Sequence, residues 1–184
     1  MSPKTESKKQ EMKDKPYHLI LGSVMWGQLT TWPDISFSIS LLARFQANPS
    51  IEHWKALLHV IGYIKNMLDY GLTYSQDFNL TPLAFVDTDY GRCKDTCCST
   101  SGYIFTMAGG AVTWSSKCQA MVALSTVEVE YVAMSCCTQQ MVWMHSWLDE
   151  VDIEYSRPGI IKGDSHGVIS LLNETRQALS PCVS

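Results

Sequence analysis

Asp87 and Asp164 each close a short apolar run: Leu83-Ala84-Phe85-Val86 precedes the first, and Ile160-Ile161-Lys162-Gly163 precedes the second. In open α/β sheets, sites form at the carboxyl ends of strands. Glu128 and Glu130 fall within a long helical pattern. Residues two apart on a helix point ~200° apart, so only one of the two can face a site shared with the aspartates. Two strand-end aspartates and one helical glutamate form an all-oxygen donor set, which suits Mg²⁺. A pair of such ions roughly 4 Å apart stabilises both the attacking and the leaving oxygen in phosphodiester hydrolysis. Spacing alone is better satisfied by plainer uses of these acids, which are capping strands, accepting turn hydrogen bonds or facing solvent.

The elements that must position these acids can be read from periodicity. Residues 50–68 carry Ile51, Trp54, Leu57, Leu58, Ile61, Ile64 and Leu68 at helical spacing, with Ser50 as N-cap and Gly71 as a candidate C-cap. Over 34–47 two patterns compete. Ile35, Phe37, Ile39 and Leu41 alternate with serines as in a strand, while Ile35, Ile39, Leu42 and Phe45 fit a helix. Leu72-Thr73-Tyr74 reads as a short strand. Leu83–Val86, Ser101–Met107 and Ala111–Ser115 read as three strands of an antiparallel meander, with Gly109-Gly110 at a turn. Residues 121–151 read as one helix, with Val122, Val129, Val132, Ala133, Cys136, Val142, Trp143, Trp147, Leu148 and Val151 on its apolar face. Ile160–Gly163 is a fourth strand, and Gly167–Asn173 a short helix. The order β-β-β-α-β-α specifies an α/β layer with a mixed sheet.

Composition narrows the class. Apolar residues make up 46% of the 184-residue chain, enough for a packed core, and only 17% are charged, so part of its surface is expected to pack against another segment. The first sixteen residues hold five lysines against three acids, a surplus of two, so with a net charge of −4 the body carries −6. Residues 1–16 read as a disordered basic tail. A body that acidic is not an autonomous binder of phosphate backbones. Seven cysteines without paired spacing give neither a disulfide framework nor a zinc site; Cys93, Cys97 and Cys98 lack a partner pair. Ser125 has no His–Asp set in recognisable order. His53 and His166 read as structural rather than ligating. No secretory h-region and no membrane-length apolar run is present, so an intracellular chain in cytoplasm or nucleus, not secreted, is expected.

Several colinear motifs carry a resemblance. Phe85-Val86-Asp87-Thr88-Asp89-Tyr90 is similar to Y-S-D-A-D-Y/W. Lys94-Asp95-Thr96 with Ser99-Thr100-Ser101-Gly102-Tyr103-Ile104-Phe105 resembles K-D-x-R-R-S-T-S-G-Y-x-F, and Val112-Thr113-Trp114-Ser115-Ser116-Lys117 resembles I/V-S-W-x-S-K. Val122-Ala123-Leu124-Ser125 with Glu128-Val129-Glu130-Tyr131-Val132-Ala133 resembles V-A-L-S-S-T-E-A-E-Y-M-A. These are the motifs of the ribonuclease H region of copia-type LTR retrotransposon Pol polyproteins. Upstream, Pro33-Asp34-Ile35, Arg44-Phe45, Asn48-Pro49, His53-Trp54 and Asp69-Tyr70-Gly71-Leu72 resemble the segment connecting polymerase to ribonuclease H. The resemblance covers about residues 17–175.

It implies a helical connecting segment over 17–75, with 34–47 helical, and a ribonuclease H-like domain over 80–184. It also implies hydrolysis of RNA in RNA–DNA hybrids, with selectivity through 2′-OH contacts. By motif position Asp87, Glu130 and Asp164 are the catalytic and metal carboxylates, holding Mg²⁺ or alternatively Mn²⁺, and Asp89 and Glu128 are companion acids. The implied partners are the hybrid and the reverse transcriptase part of the parent polyprotein, with no membrane.

The chain departs from the pattern in three ways. The family's late H-I-D segment, which supplies a fourth carboxylate, has no counterpart, so a C-terminally truncated domain is expected. D-N-Q is replaced by Asp164-Ser165-His166. Trp32, Cys97, Cys98 and Cys118 stand where the pattern has arginine, and His145 and Trp147 lie where it is arginine-rich; each is one transition from an arginine codon, the direction expected of decay in a silenced element. The alternative implied is a catalytically inactive remnant acting as a nucleic-acid or protein interaction module. Trp143 and Trp147 are expected in the core or in a former contact with the polymerase.

Overall fold

The computed structural model describes residues 10–91, 98–121, 123–165 and 167–170. Among the described residues from Tyr17 on, the leading helices are α1 (Tyr17–Thr30), α2 (Ser36–Ala43) and α3 (Ile51–Asn66), with a 3-10 turn, Pro33–Ile35, leading into α2. They are followed by β1 (Leu83–Asp89), β2 (Thr100–Met107), β3 (Gly110–Cys118), the long helix α4 (Thr126–Glu150) and β4 (Ile160–Lys162). The strands form one sheet in the order β3-β2-β1-β4. β1 runs antiparallel to β2 and parallel to β4, and β2 runs antiparallel to β3. The molecule is thus an α/β protein with a mixed sheet, consistent with a ribonuclease H-like fold.

The competition over 34–47 resolves as helix. Pro33 supplies a φ already suited to a first helical turn, and Ile35, Ile39 and Leu42 are buried together while Phe37 and Leu41 face outward. With Tyr17, Leu21, Leu57 and Val60 these residues form the core of the helical layer. Met12 belongs to the same core at 8% exposure. Within the stretch read as a disordered tail, Met12 packs beside Tyr17; residues 1–9 lie outside the described residues. At the start of α3, Ser50 accepts from the His53 amide, and His53 Nδ1 accepts from the Ser50 amide at 3.0 Å. This is a capping box with histidine in the place of glutamate. The His53 ring also stacks on Phe45 at 4.0 Å. α3 ends at Asn66, so Gly71 lies beyond its C-cap, Met67.

Leu72–Tyr74 forms no strand. The stretch after it lies across the β2–β3 hairpin: the Ser75 amide donates to the Ala108 carbonyl at 2.9 Å, and the Tyr74 hydroxyl to the Ala111 carbonyl at 2.5 Å. The hairpin turn is Ala108-Gly109, with φ of 52° and 85°, the left-handed pair that suits a two-residue connection between twisted strands. Gly110 opens β3 instead, and a Cβ there would lie 2.6 Å from the Tyr74 ring.

A second core lies between the sheet and α4, built from Ala84, Phe105, Met107, Cys137, Met141, Met144 and Leu148. The buried face of α4 is Val129, Ala133, Cys137, Met141, Met144 and Leu148. This corrects the expected apolar face: Cys136, Val142, Trp143, Trp147 and Val151 are exposed. Two apolar stripes run along this helix, and the narrow i, i+4 stripe of small and flexible residues is the one that fits against a twisted sheet. The bulky tryptophans are left outside. Burial raises the Cys137 thiol to about 11, so it is an inert core group.

The two layers meet along β3. The Ser40 hydroxyl donates to the Ser116 carbonyl at 2.7 Å, and Trp114 Nε1 donates to the Gln28 carbonyl at 2.9 Å. α2 thereby covers a sheet edge that would otherwise present unpaired backbone.

Candidate active site

Alternation along β1 turns Ala84 and Val86 toward the α4 core and Phe85, Asp87 and Asp89 toward the other face. β4 pairs with β1 only as far as Phe85↔Lys162. Asp87 and Asp164 each lie two residues past that last pair, on neighbouring strand ends. Past the end of β4 no strand among the described residues flanks β1 on this side, and Glu130 approaches there from α4. All three carboxylates line one small cleft, together with Val86, Thr88, Ala133, Met134, Gly163, Ser165 and Val168.

Gly163 is a contributor that the motif reading passed over. A Cβ there would lie 3.1 Å from Met134 Cε and 3.4 Å from Val86 Cγ1, so the absent side chain lets the end of β4 close on α4. A glycine immediately before a strand-end aspartate is the sequence signal for such an approach.

The electrostatics centre on Glu130. One of its oxygens, Oε2, is enclosed and has no hydrogen-bond partner. Its carboxyl is pushed above the usual carboxylate range, first by burial and then by the negative charges of Asp164 and Asp87. Asp87 Oδ1 accepts from the Thr88 amide at 2.7 Å. Glu128 does different work: it accepts from the Leu124 amide at 2.8 Å through Oε2, and its own amide donates to Ser125 Oγ at 3.1 Å. Ser125 and Glu128 thus cap α4, and the helix divides the acid pair as the 200° argument requires. Asp89 lines a larger open groove of about 740 Å³ on the opposite sheet face, with Asp34, Phe37, Phe85, Ile104 and Trp114. Asp87 borders both spaces.

The donor chemistry fits a hard divalent cation: three carboxylates, one of them with an unpaired, enclosed oxygen, gathered at one cleft. The spacing is looser than a coordination shell. Among the described residues, no three His, Cys, Asp or Glu side chains stand close enough together to hold a metal ion. Cys93, Cys97 and His166 lie outside the described residues. No helix among the described residues is long and apolar enough to cross a membrane.

No family model and no solved structure matches the chain. Its similarities lie with transposon proteins. The retrovirus-related Pol polyprotein from transposon TNT 1-94 of Nicotiana tabacum is 33% identical over 171 residues, 93% of this chain and 13% of that polyprotein. The Pol polyprotein from transposon RE2 of Arabidopsis thaliana is 32% identical over 155 residues, 84% of this chain and 11% of its own length. The chain thus spans about a tenth of each of these relatives. A shorter relative, the secreted RxLR effector protein 161 of Plasmopara viticola, is 37% identical over 133 residues, 72% of this chain and 94% of that protein. With transposon polyproteins matched at 32–33% identity across 84–93% of its length, the chain belongs to the family of copia-type retrotransposon Pol polyproteins.

Proposed function

We propose that this is a ribonuclease H-like domain that hydrolyses the RNA strand of RNA–DNA hybrids, with Asp87, Glu130 and Asp164 holding Mg²⁺, or Mn²⁺ in its place. The observation that carries the reading is the convergence of those three acids, from β1, α4 and the end of β4, on one cleft where Glu130 keeps an unpaired oxygen. Asp87 and Asp164 lie on adjacent strand ends and supply the outer donors. Glu130 closes the set from behind. Bound there, the metal supplies an activated water and charge stabilisation at the leaving 3′-oxygen. The natural setting is inside the cell, beside the reverse transcriptase part of a parent polyprotein.

A second reading has its own support. Among the described residues no three His, Cys, Asp or Glu side chains form a ready-made metal-holding group, the body is acidic, and a short relative consists almost wholly of this segment. These favour a catalytically inactive remnant serving as an interaction module. Incubation with a labelled hybrid and Mg²⁺ separates the two. The enzyme reading expects cleavage that chelation abolishes and that Asp87→Asn lowers at least a hundredfold. Equal products from both proteins, or none from either, would favour the remnant.

A further inference from the structure

Gln119 follows β3 by one residue and is 8% exposed. Its amide donates to the Ser99 carbonyl at 2.8 Å, which ties it to the start of β2. Its side-chain Nε2 donates to Ser101 Oγ at 2.7 Å and to the Val129 carbonyl at 3.0 Å. A carbonyl can only accept, so the nitrogen must face Val129 and the orientation of this amide is set by chemistry. Val129 lies in the first turn of α4, immediately before Glu130.

We propose that Gln119 is a positioning residue for the carboxylate cleft, clamping the first turn of α4 to the ends of β2 and β3 and so setting how far Glu130 reaches toward Asp87 and Asp164. This rests on the metal-site reading above.

Two observations support it. The caps from Ser125 and Glu128 are bonds within the start of α4 itself, and its grip on the sheet includes Val129 and, one turn on, Ala133, buried at 0% and 1% exposure. Apolar contact is non-directional and tolerates rotation about the helix axis. A rotation of about 20° carries a carboxylate near the helix rim through about 2 Å, and misplacement by roughly 1 Å costs about a hundredfold in catalysis. A directional bond to a backbone carbonyl is the element that fixes that angle. Finally, Gln119 Oε1 is buried without a partner. An apolar side chain of the same shape would avoid that penalty, so the amide is destabilising on one side and restraining on the other.

The test replaces the donor while keeping the length, Gln119→Met, and uses two readouts on the full chain. Amide exchange over Glu130–Ala133 is expected to rise at least tenfold, with residues 141–150 unchanged. Mn²⁺ affinity, read by electron paramagnetic resonance, is expected to fall about tenfold. Met144→Ala at the far end of α4 serves as a control that loosens the helix without touching the clamp, and it should leave Mn²⁺ affinity alone. Ser101→Ala removes one anchor and gives a milder variant, with an intermediate loss expected, should Gln119→Met not fold. Unchanged exchange, or faster exchange with unchanged affinity, would overturn the positioning role while the metal site stands, provided Asp87→Asn abolishes Mn²⁺ binding. Absence of Mn²⁺ binding by the unmodified chain, or equal binding by Asp87→Asn, would sink the metal-site reading and the positioning role with it.

Discussion

The helical layer and the sheet layer bury their apolar residues in different ways. In the sheet layer, α4 turns one narrow stripe inward and presents Glu130 beside it. In the helical layer, α1 buries Tyr17 and Leu21 yet exposes Leu19, Trp26 and Leu29 on its far side, and α2 exposes Phe37 and Leu41. A helix that is apolar all round is normally buried all round. The carboxylate cleft is assembled entirely within the sheet layer. The helical layer contributes a cover for the β3 edge and a rim for the open groove, and like the outer face of α4 it carries exposed apolar side chains.

That contrast can be tested in order of expected effect. Leu57→Ala and Leu148→Ala each empty a fully buried site, one per layer, and each is expected to cost about 2–5 kcal/mol. If the β3 contacts couple the layers, urea unfolding shows one transition that both substitutions shift. Two transitions, with Leu57→Ala moving only one, would show that the layers fold separately. Trp114→Phe removes the hydrogen bond to the Gln28 carbonyl and leaves most of the ring, so a loss of about 1 kcal/mol is expected. If the same experiment shows no change, the apolar contacts of α2 carry the junction alone.

The smallest effect concerns the cleft. Glu130 has a raised carboxyl pKa in the fold, from burial first and from Asp164 and Asp87 next. The folded chain therefore holds that proton more tightly than the unfolded one. Stability falls as pH rises from the ordinary carboxylate range through the folded value, and stays lower above it. Glu130→Gln should melt at a higher temperature than the unmodified chain at pH 7, and the difference should close below the ordinary carboxylate range. A variant that melts lower at pH 7 would mean that Glu130 has a favourable partner and that the cleft is not strained by charge.

Periodicity made much of the fold legible. Ser50 marks its helix start because an N-cap is a local hydrogen bond, made by one side chain to the next turn; Ser125 caps α4 in the same way, which moves the start expected at 121 to Thr126. The strands were legible because β-branched and aromatic residues sit between turn residues. The inward stripe of α4 was not. Trp143, Trp147 and Val142 outweigh Cys137 and Met141 in apolar bulk, but bulk does not state which stripe a twisted sheet can accept. Met12 escaped notice because a lone apolar residue in a lysine-rich stretch has no pattern to join.

The sequence by itself placed Asp87 and Asp164 near the carboxyl ends of two strands, although β1 runs on to Asp89 and β4 stops at Lys162, and it determined that one of Glu128 and Glu130 would turn away and that an all-oxygen site was chemically available. Each of these follows from local geometry: a repeat of two residues in a strand or 3.6 in a helix, and the ligand preference of a hard cation. The motif resemblance had already singled out Glu130; tertiary structure decided that Glu128 caps α4 while Glu130 lines one cleft with the aspartates, and that β4 stops early enough to open the gap between them. It also decided that Gln119 reaches across from β3 to hold the helix. Those outcomes depend on register and docking between segments far apart in sequence, which residue type and spacing do not encode.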